Sequence, residues 1–105
     1  MANELYENPL NNTDQPYQTQ LDNNYPNPFN PTTTIPFSLE KASKVRLTVY
    51  DMLGRSVQVI IDEYRSAGTH EVRFSAGLDG LSSVLYMYSL EFDGERITKT
   101  ILLLK

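Results

Sequence analysis

The sequence predicts an all-β fold, an antiparallel sandwich of six to seven strands. Three observations carry this. From residue 32 onward apolar residues recur at every second position, the period of a half-buried strand. Turn signals separate these runs at sandwich-like spacing, and no stretch has a convincing helical period. The chain has 105 residues and no cysteine, enough for one small domain that must hold by packing alone.

The first strand is Thr33–Leu39, with Ile35, Phe37 and Leu39 on one face. Pro36 lies on the other face, which predicts a position at a sheet edge. The second is Lys44–Tyr50, with Val45, Leu47 and Val49 inward and Lys44, Arg46 and Thr48 outward. Asp51 to Arg55 then forms a tight turn in which Gly54 takes positive φ. The third is Ser56–Ile61, with Val57, Val59 and Ile61 inward. Gly68 turns the chain into the fourth, Thr69–Ser75, with Val72 and Phe74 inward. The fifth is Val84–Phe92, with Val84, Tyr86, Tyr88 and Leu90 on one face. Asp93-Gly94 is a strong hairpin signal and leads into the last strand, Arg96–Leu104. A seventh strand can lie within residues 21–31. This pattern reads as an immunoglobulin-like sandwich.

The charge divides the chain in two. Residues 1–31 hold Glu4, Glu7, Asp14 and Asp22, no Lys or Arg, all eight Asn and five of the six Pro. The rest is neutral, with nine acids and nine bases. Residues 1–20 read as a flexible acidic linker that cannot bury enough surface to offset its ordering entropy; residues 21–105 read as the domain. Between them Asn24, Tyr25, Pro26, Asn27, Pro28, Phe29, Asn30 and Pro31 make a stiff strip. Pro fixes φ and pushes each preceding residue to extended conformations, and the rings of Tyr25 and Phe29 can pin the strip to a core.

Composition excludes several functions. No basic patch is concentrated enough to grip a nucleic acid. The longest apolar run, Ile101 to Leu104, is too short to span a bilayer. Met1-Ala2-Asn3-Glu4, with no positively charged or apolar opening stretch, is not expected to begin a signal peptide. No catalytic constellation stands out: His70 is the one histidine, no Ser sits in a nucleophile elbow, and Asp62-Glu63 reads as a solvated turn. Asp22, Asn23, Asn24, Asn27 and Asn30 could offer oxygens to Ca²⁺, but one carboxylate among amides gives low affinity, and no metal or cofactor is expected. For sugar binding only Tyr50 and Tyr64 could serve as exposed platforms. The final strand is apolar on both faces, at Ile101 and Leu103 and again at Leu102 and Leu104. This fits either coverage by the Pro-rich strip or a docking surface.

The run from Asn24 to Pro31, the D-x-x-G-R turn at Asp51 to Arg55, Ala67-Gly68, the Y-x-Y strand at Tyr86 and Tyr88 and the apolar end closed by Lys105 occur in one order. In that order they resemble the C-terminal sorting domain of type IX (Por) secretion substrates, itself similar to the Ig-like domain of flagellar hook-capping proteins. The resemblance spans nearly all of residues 21–105. Val84 follows Ser82-Ser83 where many relatives have Gly, and Pro36 replaces a usual polar residue, so local geometry there should differ.

The resemblance implies an address rather than an enzyme. Such a domain directs an N-terminal cargo from the periplasm through an outer-membrane translocon in Bacteroidota-like bacteria. A sortase-like peptidase then commonly removes it, leaving the cargo released or attached to the cell surface. By analogy, cleavage falls around Gln18, Thr19, Gln20, Leu21 and Asp22. Lys99, Leu102, Leu103, Leu104 and Lys105 are expected to present the part read by the export machinery. Gly54, Gly68 and Gly94 supply turns. The alternative is a non-catalytic accessory module, sugar-binding or a spacer, beside a secreted hydrolase.

Overall fold

The computed structural model describes residues 18–29, 31–76 and 85–103. Among these residues seven strands form: β1 (Gln20–Leu21), β2 (Thr32–Leu39), β3 (Ser43–Tyr50), β4 (Ser56–Arg65), β5 (Gly68–Ser75), β6 (Leu85–Phe92) and β7 (Glu95–Leu102). They pair antiparallel into two sheets, in the orders β1-β2-β5 and β4-β3-β6-β7. The alternation of β3 explains its place. Val45, Leu47 and Val49 are buried and Lys44 and Arg46 exposed, so β3 presents one apolar face to Ile35, Phe37 and Leu39 of β2. Tyr86, Tyr88 and Leu90 of β6 complete the same core. Burying each large side chain contributes roughly 1.5–3 kcal/mol.

The turns follow residue chemistry. The Asp51 carboxylate accepts the N–H groups of Leu53 and Arg55 at one oxygen and the Arg55 guanidinium at the other, 2.7 Å away. These bonds hold its pKa below the usual value, the Arg55 backbone N–H having the largest effect. Gly54 carries φ +83° and Gly68 φ +118°. In the β6–β7 hairpin both Asp93 (φ +48°) and Gly94 (φ +78°) are left-handed, the conformation that a two-residue turn of matching twist demands.

Several expectations need correction. Thr48 does not face solvent but is buried, and Asp62 and Glu63 form no turn: they lie within β4, opposite Arg46 and Val45 of β3. Pro36 does not mark an edge, because β2 lies between β1 and β5. The Pro36 carbonyl accepts the N–H of Asp22 on the β1 side. In an extended strand a residue's N and O point to the same edge, so its missing N–H faces the place where β1 ends and interrupts no bond to β5. Val59 does not point inward; it is 40% exposed. Leu47 pairs with Ile61 and Thr48 with Val59, so Ile60 is an extra residue. A second shift leaves Val57 unpaired between Gln58 and Ser56. These bulges turn Val57, Ile60 and Ile61 toward the core and break simple alternation.

Thr48 of β3 and Ser89 of β6 face each other across the pair, and both are buried. Pairing at the start of the domain begins at Gln20, opposite Ser38. Residues 1–17, Asn30, residues 77–84, Leu104 and Lys105 lie outside the described residues. So do residues 1–17 of the linker expected over 1–20 and the inward role expected of Val84; Thr19 and Gln20 of that expected linker are instead bonded to the domain.

Candidate recognition surface where the strip meets the last strand

The Pro-rich strip binds both sheets. Toward the three-stranded sheet, Tyr25 exchanges backbone hydrogen bonds with Thr34 at 2.9 and 2.8 Å. The buried Asn24 amide donates to Thr33 Oγ1 at 2.9 Å and to the Pro26 carbonyl at 3.2 Å. Asn24 Oδ1 has no partner among the described residues. The half-exposed Tyr25 hydroxyl donates to Glu71 at 2.8 Å, and this bond is the largest cause of its raised pKa. The Tyr25–Pro26 and Asn27–Pro28 bonds are cis.

Toward the four-stranded sheet the ties are longer in sequence. The Tyr88 hydroxyl donates to the Asp22 carbonyl at 2.7 Å and accepts the Asn24 N–H at 3.1 Å. The Leu102 N–H donates to Asn27 Oδ1 at 3.0 Å, and the Phe29 N–H donates to the Leu102 carbonyl at 2.9 Å. Phe29 forms a parallel bridge with Leu103. Its ring is fully buried, with its centroid 5.7 Å from that of Phe74. The strip is therefore part of the core, and it joins the start of the domain to the end of β7.

Both backbone groups of Leu102 are bonded to the strip, so they point to the edge of β7 away from β6. By the two-residue repeat, those of Thr98 and Thr100 point the same way. There they meet an open groove lined by Asn23, Asn24, Tyr25, Asn27, Thr98, Lys99 and Thr100. No described residue pairs with the edge in that stretch. Lys99 shares the inward face with Ile97 and Ile101, opposite Tyr88, and is half-buried. An inward charge on an edge strand hinders indiscriminate pairing with other strands.

The expected site residues thus divide. Lys99 lines the groove. Leu102 is 38% exposed, whereas Leu103 is buried. The expected cleavage stretch is tied down rather than free. Thr19 Oγ1 accepts the Glu40 N–H at 2.9 Å, Gln20 and Leu21 form β1, and Asp22 is held by Tyr88. Sequence reading missed the bridging roles of Asn27 and Tyr88. Tyr88 left a signal, since the hydroxyl of a buried tyrosine usually finds a partner, but the signal did not single it out: Tyr86 shares its face and has no partner among the described residues.

Burial raises the Tyr88 pKa from 10.0 to about 12; the Asn24 N–H opposes this shift and the Asp22 charge adds to it. The folded state favours the protonated phenol. Its contribution is fully present below pH 10 and is lost as pH rises toward 12, on the order of 2 kcal/mol. Tyr88→Phe is expected to cost about 1–2 kcal/mol at neutral pH and to remove that alkaline dependence. Urea unfolding at pH 7 and over pH 9–12 checks both (the pH steps bracket the shift).

The remaining candidates serve the fold or stand apart. His70 stacks on Phe37 and its Nε2 lies 2.8 Å from the Ser66 carbonyl oxygen. Tyr64 is 76% exposed, but Tyr50 is half-buried beneath Arg96 at the opposite end of β3, so the two rings make no common platform. Among the described residues no group of three or more His, Cys, Asp or Glu could hold a metal ion, and no helix is long and apolar enough to cross a membrane.

Comparison with curated proteins and with solved structures found no match. The family model of the secretion system C-terminal sorting domain matches residues 23–104, which begin just before the strip and end just beyond β7. The chain belongs to this family, and it is a C-terminal sorting signal for type IX secretion.

Proposed function

We propose that residues 21–105 form the sorting unit and that the export machinery reads the end of β7. The observation that supports this is the exposure of Leu102 between buried Ile101 and Leu103, beside an edge that is open from Thr98 to Thr100. A partner strand can add to such an edge, with backbone bonds giving affinity and side-chain pockets giving specificity. Lys99 and Leu102 supply the side chains in the free domain; Leu103, buried and bridged to Phe29, joins them only where the strip is displaced, and Leu104 and Lys105 follow in sequence.

The cargo joined through the acidic linker of residues 1–20 is carried from the periplasm through the outer-membrane type IX translocon. A sortase-like peptidase then cuts around Gln18 to Asp22, and the cargo is released or attached at the surface. In this reading the domain is that peptidase's substrate and is not an enzyme. Mass spectrometry of a secreted reporter fused to residues 1–105 tests the cleavage step. The reading expects a new C-terminus between Gln18 and Asp22. A cut after residue 29, or an intact product in a peptidase-competent host, would overturn it.

A further inference from the structure

The two segments that this reading uses, the strip and the end of β7, are bonded to each other. Leu102 offers one N–H and one C=O on the outer edge of β7, and both are taken by the strip, through Asn27 Oδ1 and the Phe29 N–H. A strand that pairs with β7 through Leu102 needs those same two groups. Pairing there and seating of the strip are therefore mutually exclusive, whereas pairing confined to Thr98 and Thr100 is not. Upstream of Asn27, the same strip continues through the Asn24 and Asp22 contacts with Tyr88 into β1, where the expected scissile bonds lie.

Resting on the sorting reading, we infer that the strip is a latch: a partner occupies the end of β7 only by unseating Asn27 and Phe29, and this loosens Gln18 to Asp22 for cleavage. A peptidase needs its substrate segment unpaired, so cleavage of a paired segment follows its local opening. In the latched domain β1 bonds to β2, and the Tyr88 bridge fixes the chain immediately after it. Removal of the Leu102 anchor leaves the segment held by its pairing with β2 and by the Tyr88 bridge alone. The latch thus orders events: the address is read at one end before it is cut off at the other, and a domain not yet delivered resists removal.

The test uses the full chain 1–105 and thermolysin, which cuts before leucine, with cleavage at Gln20–Leu21 followed by mass. Asn27→Ala removes the acceptor of the Leu102 N–H and is expected to speed this cut about fivefold, as loss of one hydrogen bond should. Asn27→Asp keeps an acceptor and should cut at the wild-type rate. Leu102→Pro removes the donor from the β7 side, at an N–H that does not face β6, and should match Asn27→Ala. Leu102→Ala keeps the donor and should not. Because one bond is involved, the double variant Asn27→Ala/Leu102→Pro should cut no faster than either single one.

Ile61→Val in β4 is the control for global destabilisation. If it speeds the cut as much as Asn27→Ala does, cleavage proceeds through global unfolding and the latch is refuted. Wild-type rates in Asn27→Ala, or additive single effects, refute it equally. The assay contains no translocon, so its failure is separate from failure of the sorting reading, which an export assay decides.

Discussion

Phe29→Ala is expected to lower stability by about 3–5 kcal/mol, the cost of removing a fully buried phenylalanine. For a domain this small that is a large fraction of the total. Phe29 lies outside the seven strands, yet its ring is buried against Phe74 and its backbone bonds to Leu102. Its loss opens a cavity where the two sheets and the strip meet. Urea unfolding of the full chain measures this. Tyr25→Phe in the same strip removes only the exposed bond to Glu71 and should leave the midpoint nearly unchanged. A loss below about 1 kcal/mol for Phe29→Ala, well under the usual range, would show that the strip is an appendage rather than core.

Leu102→Asp is expected to leave the domain folded and to reduce export of a fused cargo about tenfold or more. The Leu102 side chain is partly exposed, so a carboxylate there meets solvent in the free domain. In a complex that covers Leu102 it forfeits apolar burial of roughly 1.5–3 kcal/mol and leaves an unpaired charge. Leu103→Ala is the contrast: Leu103 is buried and bridged to Phe29, so this variant should lose about 2–5 kcal/mol of stability, and its export defect would say nothing about recognition. For the same reason deletion of Leu103 to Lys105 mixes the two effects. Export of Leu102→Asp at the wild-type level, with an unchanged unfolding midpoint, would remove Leu102 from the recognition surface.

The legible parts of this fold are those set by neighbours in sequence. Val45, Leu47 and Val49 alternate with Lys44 and Arg46, and that period is enough to place β3 and its inward face. Asp93-Gly94 specifies a turn in which both residues take positive φ, and the structure has that turn. Pro36 was misread because the rule that keeps proline at edges concerns one missing donor, and here that donor would face the place where β1 ends. Val59 was misread because bulges at Ile60 and Val57 reset the alternation, and nothing local in VQVII marks which residue is extra.

The candidate site was half legible. Tyr25 and Phe29 stand out as aromatics among prolines, and a role in pinning the strip follows from that alone. The bonds that matter most, Asn27 to Leu102 and Tyr88 to Asp22, join residues 75 and 66 positions apart. No period or spacing encodes such pairs; topology creates them by laying the strip along β7. Exposure at Leu102 beside burial at Leu103 is also a tertiary result, because LLLK carries no alternation.

The most direct measurement of the central claim is export of a folded reporter that carries a signal peptide at its N-terminus and residues 1–105 at its C-terminus. It compares a type IX-competent host with the same strain lacking the translocon. The account predicts extracellular or surface reporter in the competent strain and retention in the periplasm in the other. Equal distribution in the two strains would contradict it.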